Sequence, residues 1–193
     1  MLEYNDAKHE YRVDGRVLPH VTGIIKSVLP MEQFASDWHM QRGTATHYAC
    51  ELLDRGVLDW SSVDLEILPR VRAYQSFREQ YPVAVVANET KLVHPVFLYA
   101  GKLDRVFETD EGKLILCDIK NSVSAQVRVQ LGLYSLAWEA VMKRKISKAV
   151  AVELMGDGRF KCLWVDGIEL RDAEKAAIAC LTVHNFKTKW GLK

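Results

Sequence analysis

From residue 31 the apolar side chains of this chain recur at helical spacing, and near residue 83 that pattern gives way to short runs rich in β-branched and aromatic residues. Before the switch, "HEYRV" and "RVLP" flank Asp14-Gly15, a dipeptide that supplies the positive φ angles of a type I′ hairpin turn. Thr22 then reads as the N-cap of a short helix stopped by Pro30. Met31 to Asp54 is helical but interrupted at Gly43, which predicts two helices, the second ending near Gly56. Another helix is expected from about Pro69 to Tyr81. After the switch, "VAVVANETKLV", "VFLYAGKLDRVFE" and "KLILCDIK" read as three consecutive strands, with "TDEGK" closing the last two as a hairpin. Ser124 to Lys143 is an amphipathic helix whose apolar positions are Val127, Leu131, Tyr134, Trp138 and Val141. Two further strands, "KAVAVELM" and "RFKCLWV", meet at Gly156-Asp157-Gly158, and a last helix runs from Glu169 to about Lys189. This order predicts an α/β sandwich around a central mixed β-sheet flanked by helices, with an N-terminal β-hairpin.

Composition adds limits to this picture. A chain of 193 residues, 49% of them hydrophobic, is sufficient for one domain spanning residues 1–193. Lys and Arg number 26 against 25 Asp and Glu, so the chain has no global basic field, and an anionic partner must be held by a local patch or a metal. The N-terminus is polar and no run approaches the roughly 20 apolar residues of a membrane span, which predicts a cytoplasmic protein with no membrane partner. Cys50, Cys117, Cys162 and Cys180 form no C-x-x-C pair and are expected to be reduced thiols, mostly buried.

The charges inside the strand "LILCDIKNS" raise the question of chemistry. Residues two apart in a strand share a face, so Asp118 and Lys120 point the same way, as do Lys102 and Asp104 on the preceding strand. With Asp110-Glu111-Gly112 as a three-residue loop and Gly112 left-handed, pairing is symmetric about Glu111 and Asp104 lies opposite Asp118; a one-residue slip would break that juxtaposition. Opposed carboxylates repel, and a hard divalent cation between them removes the repulsion. Ordinary surface charges would give the same D-x-K triplet. On the helix "TATHYACELL", Ala45, Ala49 and Leu52 form one stripe and His47, Glu51 and Asp54 the other side, so His47 is either solvated or a metal ligand delivered from a helix. Gln130 and Tyr134 are one turn apart and share a face, as a boundary glutamine and core tyrosine also would. Arg42, Lys102, Arg105 and Arg128 are the first candidates to grip a polyanion, while "KRK" at 143 to 145 reads as a solvated helix terminus.

Read in order, "RGTATH", "GKLD", "DIK" and "QLGLY" resemble the signature of the PD-(D/E)xK nuclease superfamily, in its RecB-like exonuclease branch, and the chain also resembles the stand-alone exonucleases of phages and prophages. The resemblance runs from the N-terminal hairpin and "VTGII" to about Lys143. It implies a restriction-endonuclease-like core and a metal-dependent DNA exonuclease acting in recombination, repair or phage DNA end processing. By that resemblance, Asp104, Asp118 and Lys120 are catalytic. His47, Asp104, Asp118 and the carbonyl of Ile119 hold Mg²⁺ or Mn²⁺, and Gln130 and Tyr134 support the site and contact the DNA backbone. Glu89 is similar in place to an acidic residue that some relatives carry. The implied partners are single- or double-stranded DNA ends and a recombination or single-strand-binding protein, in a bacterial or phage-infected cytosol. The cysteines lack the spacing that holds an iron–sulfur cluster in some relatives, so none is expected. No Walker-type motif is present, so any unwinding motor must be a partner. A structure-specific or nicking endonuclease of the same fold, or an inactive nucleic-acid-binding module, remains an alternative.

Overall fold

The structure is a computed structural model that describes residues 2–5, 10–30 and 37–192. Three short strands, β1 (Leu2–Asn5), β2 (Glu10–Val13) and β3 (Arg16–Leu18), form an antiparallel sheet in the order β1-β2-β3. The predicted turn between β2 and β3 is there: Asp14 and Gly15 have φ of 49° and 77°. The chain then forms α1 (Val21–Val28), α2 (Asp37–Asp54) and α3 (Leu68–Gln80), followed by β4 (Ala84–Val93), β5 (Ala100–Glu108) and β6 (Leu114–Lys120). After them come α4 (Val127–Met142), β7 (Ile146–Leu154), β8 (Phe160–Val165) and α5 (Gly167–Trp190).

The second sheet has the order β4-β5-β6-β7-β8, and among its neighbours only β6 and β7 are parallel, because α4 carries the chain back across the sheet. Its two faces are covered by different helices. Val21, Ile24, Leu131, Leu133, Trp138, Leu170 and Leu181 place α1, α4 and α5 over one face. Ala73, Tyr74 and Phe77 of α3 and Cys50 of α2 pack on the other, against Phe107, Ile115, Cys117 and Ile119. A mixed sheet between helix layers, with the small N-terminal sheet beside it, is a restriction-endonuclease-like core. No helix among the described residues is long and apolar enough to cross a membrane.

Four expectations change. The short helix begins at Val21, not after Thr22: His20 is the N-cap, and its Nδ1 accepts from the Gly23 amide at 3.3 Å. Gly43 does not split the helical segment, since α2 runs through it, and residues 31–36 of that segment lie outside the described residues. A Cβ at Gly43 would stand 3.5 Å from Asn121 Nδ2, so tertiary contact holds a residue of weak helix propensity. The buried face of α2 is Thr46, Ala49 and Cys50, with Ala45 exposed, because Thr46 Oγ1 donates to the Arg42 carbonyl at 2.8 Å and so hides its hydroxyl. Asp54 lies on that inward side, its side chain 1% exposed. In α4, Val141 is exposed, and Leu133, Ser135 and Ala137 are buried instead, because α5 covers a second side of the helix. Gly132 permits this close packing: a Cβ there would meet the Ala173 carbonyl oxygen at 2.5 Å.

Candidate metal centre

The hairpin between β5 and β6 sets the geometry. Gly112 is left-handed at φ 73°, the Thr109 amide donates to the Lys113 carbonyl, and the ladder pairs Arg105 with Cys117 and Glu108 with Leu114. Continued by one residue, this register sets Asp104 opposite Asp118, as symmetry about Glu111 predicts. The strands cease to pair there. The Ile119 amide instead donates to Asp104 Oδ2 at 2.6 Å, so a carboxylate replaces the ladder hydrogen bond. A residue's N–H and C=O point to the same strand edge, so the Ile119 carbonyl faces the β5 side next to Asp104.

His47 arrives from α2, with Nδ1 3.4 Å from Asp104 Oδ1 and 3.7 Å from Glu89 Oε1. Donor atoms of His47, Glu89 and Asp104 all lie within 4.8 Å of one another, an arrangement able to hold a metal ion. Glu89 faces Asp104 across the β4–β5 ladder, between the pairs Asn88↔Arg105 and Thr90↔Leu103. Its backbone is left-handed at φ 45°, an uncommon conformation for a residue with a Cβ, and such strain collects at functional sites. Glu89 is held by cations: Oε1 accepts from Arg105 at 2.7 Å, and Oε2 pairs with Lys102 at 2.6 Å.

Asp118 of β6 lies outside that three-residue cluster but near enough to Asp104 to feel its charge, and its side chain is 1% exposed. Gln130 of α4 donates to Oδ1 at 3.1 Å, and Lys120 Nζ stands 2.8 Å from Oδ2. Lys120 is thus the charge partner of Asp118 at bonding distance. Tyr134 is buried one turn beyond Gln130. Its ring needs the glycine of "GKLD": a Cβ on Gly101 would stand 2.7 Å from Tyr134 Cε1 and 2.8 Å from Val21 Cγ2.

The electrostatics are those of crowded negative charge. Burial, together with the charge of Asp104, pushes Asp118 up to about 6 despite Lys120. Burial disfavours the charged form of Asp104 as well, but the His47 ring and the cations of Lys120 and Arg105 hold it below the usual carboxylate range. Burial would lower His47, and the carboxylates of Asp104 and Glu89 outweigh it, holding the imidazole up at about 9. A His and two carboxylates whose donor atoms lie within 4.8 Å of one another, with the buried Asp118 carboxylate near them, are a donor set that fits a hard divalent cation.

The sequence-predicted residues are thus placed as follows. His47, Asp104, Asp118, Lys120, Ile119 and Gln130 converge, with Tyr134 packed behind them. Arg105 does not serve as a grip for a polyanion. Its side chain is fully buried on the face turned to α2 and α3, bonded to Asp54 Oδ2 at 2.7 Å, Glu89 Oε1 at 2.7 Å and the Asp104 carbonyl at 3.1 Å. Strand alternation puts Arg105 on the side of Phe107, and helices cover both faces of β5, so neither side is open to a polyanion there. Lys102 is engaged with Glu89, and "KRK" begins with the left-handed C-cap Lys143, whose neighbour Arg144 pairs with Glu108. The cysteines are free, with Cys50, Cys117 and Cys180 buried.

No family model matches this chain, and no curated protein matches it. Among solved structures it superposes on a candidate exonuclease from Eubacterium rectale with a TM-score of 0.53, over 88% of this chain and 82% of that one, at 9% identity. LHK-Exo, an alkaline exonuclease from Laribacter hongkongensis solved in complex with dAMP, covers 90% of this chain and 93% of its own at 14% identity, with a TM-score of 0.41. At these identities what the superposition on the E. rectale protein shows is a common fold.

Proposed function

We propose that this chain is a divalent-metal-dependent deoxyribonuclease of the PD-(D/E)xK superfamily, an exonuclease of RecB-like type whose single domain spans residues 1–193. The observation that carries this reading is the cluster of His47, Glu89 and Asp104 donor atoms, with Asp118 and Lys120 next to it on β6. The shared fold with a candidate exonuclease supports it. His47, Asp104, Asp118 and the Ile119 carbonyl would hold Mg²⁺ or Mn²⁺, with Glu89, whose donor atom lies with those of His47 and Asp104, as a further acid. A bound divalent ion supplies Lewis-acid stabilisation of the phosphoryl oxygens and an acidified water.

The residues of the chain do the rest. Lys120 places a fixed ammonium next to Asp118, where it orients the attacking water and neutralises charge that develops on the phosphate. Gln130 fixes the Asp118 rotamer through Oδ1, and Tyr134 and Gly101 keep Gln130 and β5 in register. The Ile119 amide orients the Asp104 carboxylate. The substrate is DNA with free ends, met in recombination, repair or phage end processing.

Incubation with end-labelled linear and closed circular DNA, in Mg²⁺ or Mn²⁺ and in EDTA, tests this. Metal-dependent loss of the linear form alone is the expected result. Cutting of circles would convert the reading to an endonuclease, and no metal-dependent cutting of any substrate would leave a binding module.

A further inference from the structure

Most buried charges in the described structure are matched by an opposite charge at bonding distance. Arg105 has Asp54 and Glu89, and Arg171 has Glu139 and Glu174 at 2.8–3.0 Å. Arg42 of α2 and Arg70 of α3 break this rule. The Nε atoms of both are buried, and among the described residues neither has a hydrogen-bond acceptor. The carboxylate nearest Arg42, Glu66 Oε1, stands at 4.0 Å on a side chain that is 44% exposed. The two guanidinium groups repel each other: burial and then the charge of Arg42 pull Arg70 below its ordinary value, and Glu66 only partly restores it. Two partly buried arginines that share one half-exposed carboxylate and leave both Nε atoms without an acceptor form a site short of negative charge.

The position of the pair indicates which anion. Arg42 lies five residues before His47, so it projects about 140° around α2 from it, on the side of Thr46. The contact of Gly43 with Asn121 puts that stretch of α2 over the end of β6, one residue beyond Lys120. Arg70 lies against the turn after β7, where a Cβ on Gly156 would be 3.2 Å from its NH2 group. Arg42 stacks on the half-exposed Trp38 ring at 4.2 Å, which fixes the guanidinium plane and leaves its N–H edge for in-plane bonding. Planar guanidinium edges match the oxygens of a phosphate.

We propose that Arg42 and Arg70 form a phosphate clamp, where α2 and α3 meet, that holds one phosphate of the nucleic-acid strand, internal diester or terminal monoester. This rests on the nuclease reading above and adds to it the residues that set the substrate's register.

The test is binding in EDTA, where nothing is cleaved, of a 3′-labelled single strand of about 20 nucleotides, longer than one binding site, with either a 5′-phosphate or a 5′-hydroxyl. Arg42→Gln and Arg70→Gln are each expected to raise Kd about tenfold and to lower the salt slope of binding by about 0.7, one phosphate contact on a single strand. Arg70→Lys should keep the slope while losing part of the affinity, because a point charge replaces a fork. Arg72→Gln, an exposed change on the same helix where the side chain stacks on Trp60, should leave both unchanged. The Gln variants should melt no lower than wild type, since each removes one of two repelling cations; a structural arginine would lower the melting temperature and spare the slope, which would overturn the clamp. A loss confined to 5′-phosphorylated strands identifies the terminal monoester, and an equal loss on both strands identifies an internal diester; either supports the clamp. Unchanged affinity and slope in both Gln variants of a protein that still binds and cleaves DNA would overturn the clamp alone. A wild-type protein that neither binds nor cleaves DNA would overturn the nuclease reading together with it.

Discussion

Asp104 and Arg105 are adjacent on β5, and strand alternation sends them into opposite environments. Arg105 enters a closed network in which Asp54 and Glu89 accept from it, Tyr74 donates to Asp54 Oδ2 at 2.7 Å, and Arg78 flanks Asp54 at 3.2 Å. Asp104 enters an open one, in which the carboxylates of Glu89 and Asp118 gather negative charge around it and His47. The Arg105 side sets guanidinium groups against its buried carboxylates and is scaffold; the Asp104 side gathers carboxylates around one histidine and is a place for a cation. Glu89 belongs to both networks, so the scaffold side holds a carboxylate of the site in position.

The largest way to sharpen this contrast is Lys120→Ala. On the open side a change should remove function and spare folding: cleavage falls about 10²–10³-fold or more while melting temperature and DNA affinity stay near wild type. Retained cleavage would break the assignment of Lys120. On the closed side the reverse should hold. Arg105→Met strands Asp54 and Glu89 without their shared cation and is expected to destabilise by about 3–5 kcal/mol in urea unfolding. A change below about 1 kcal/mol would show that the network is not structural.

A third, smaller effect is in pH. Without metal, His47 titrates near 9 and Asp118 near 6. Between these values both carboxylates are ionised and His47 is protonated, so a metal ion must displace one proton from Nδ1. Mn²⁺ affinity should therefore rise about tenfold per pH unit from 6 to 9 and then level, with one proton released per ion in calorimetry run in two buffers. No proton release near pH 7 would contradict the His47 assignment. The smallest effect belongs to Gln130→Ala, which removes one hydrogen bond to Asp118 and should cost about 0.5–1.5 kcal/mol in stability with a modest fall in cleavage rate. Gln130→Glu, which adds negative charge there, should be the more damaging change.

Much of the site was legible because a hairpin is a local object. Gly112 and the length of "DEG" set the register, and the register alone placed Asp104 opposite Asp118. Arg105 was misread because both faces of β5 are covered: Phe107 lies on its side and Val106 on the other, so alternation in "LDRVFE" marks neither side as exposed. Glu89 was harder. The ladder between β4 and β5 shifts between Val85 and Ala87, and Glu89 itself turns left-handed, and neither follows from alternation. The stripe of α2 was misassigned because Thr46 hides its hydroxyl on its own backbone, and Gly43 stays helical because Asn121 lies against it. The His20 cap was invisible because a ring nitrogen does what Ser or Asp does in most caps.

The most direct test of the account is isothermal titration of Mn²⁺ into four proteins: wild type, Asp104→Asn, Lys120→Ala and Arg105→Lys. Saturable binding by wild type, its loss in Asp104→Asn, and its retention in Lys120→Ala and in folded Arg105→Lys are the predicted results. Equal binding by Asp104→Asn, or none by wild type, would contradict the claim that the open side of β5 is a metal centre.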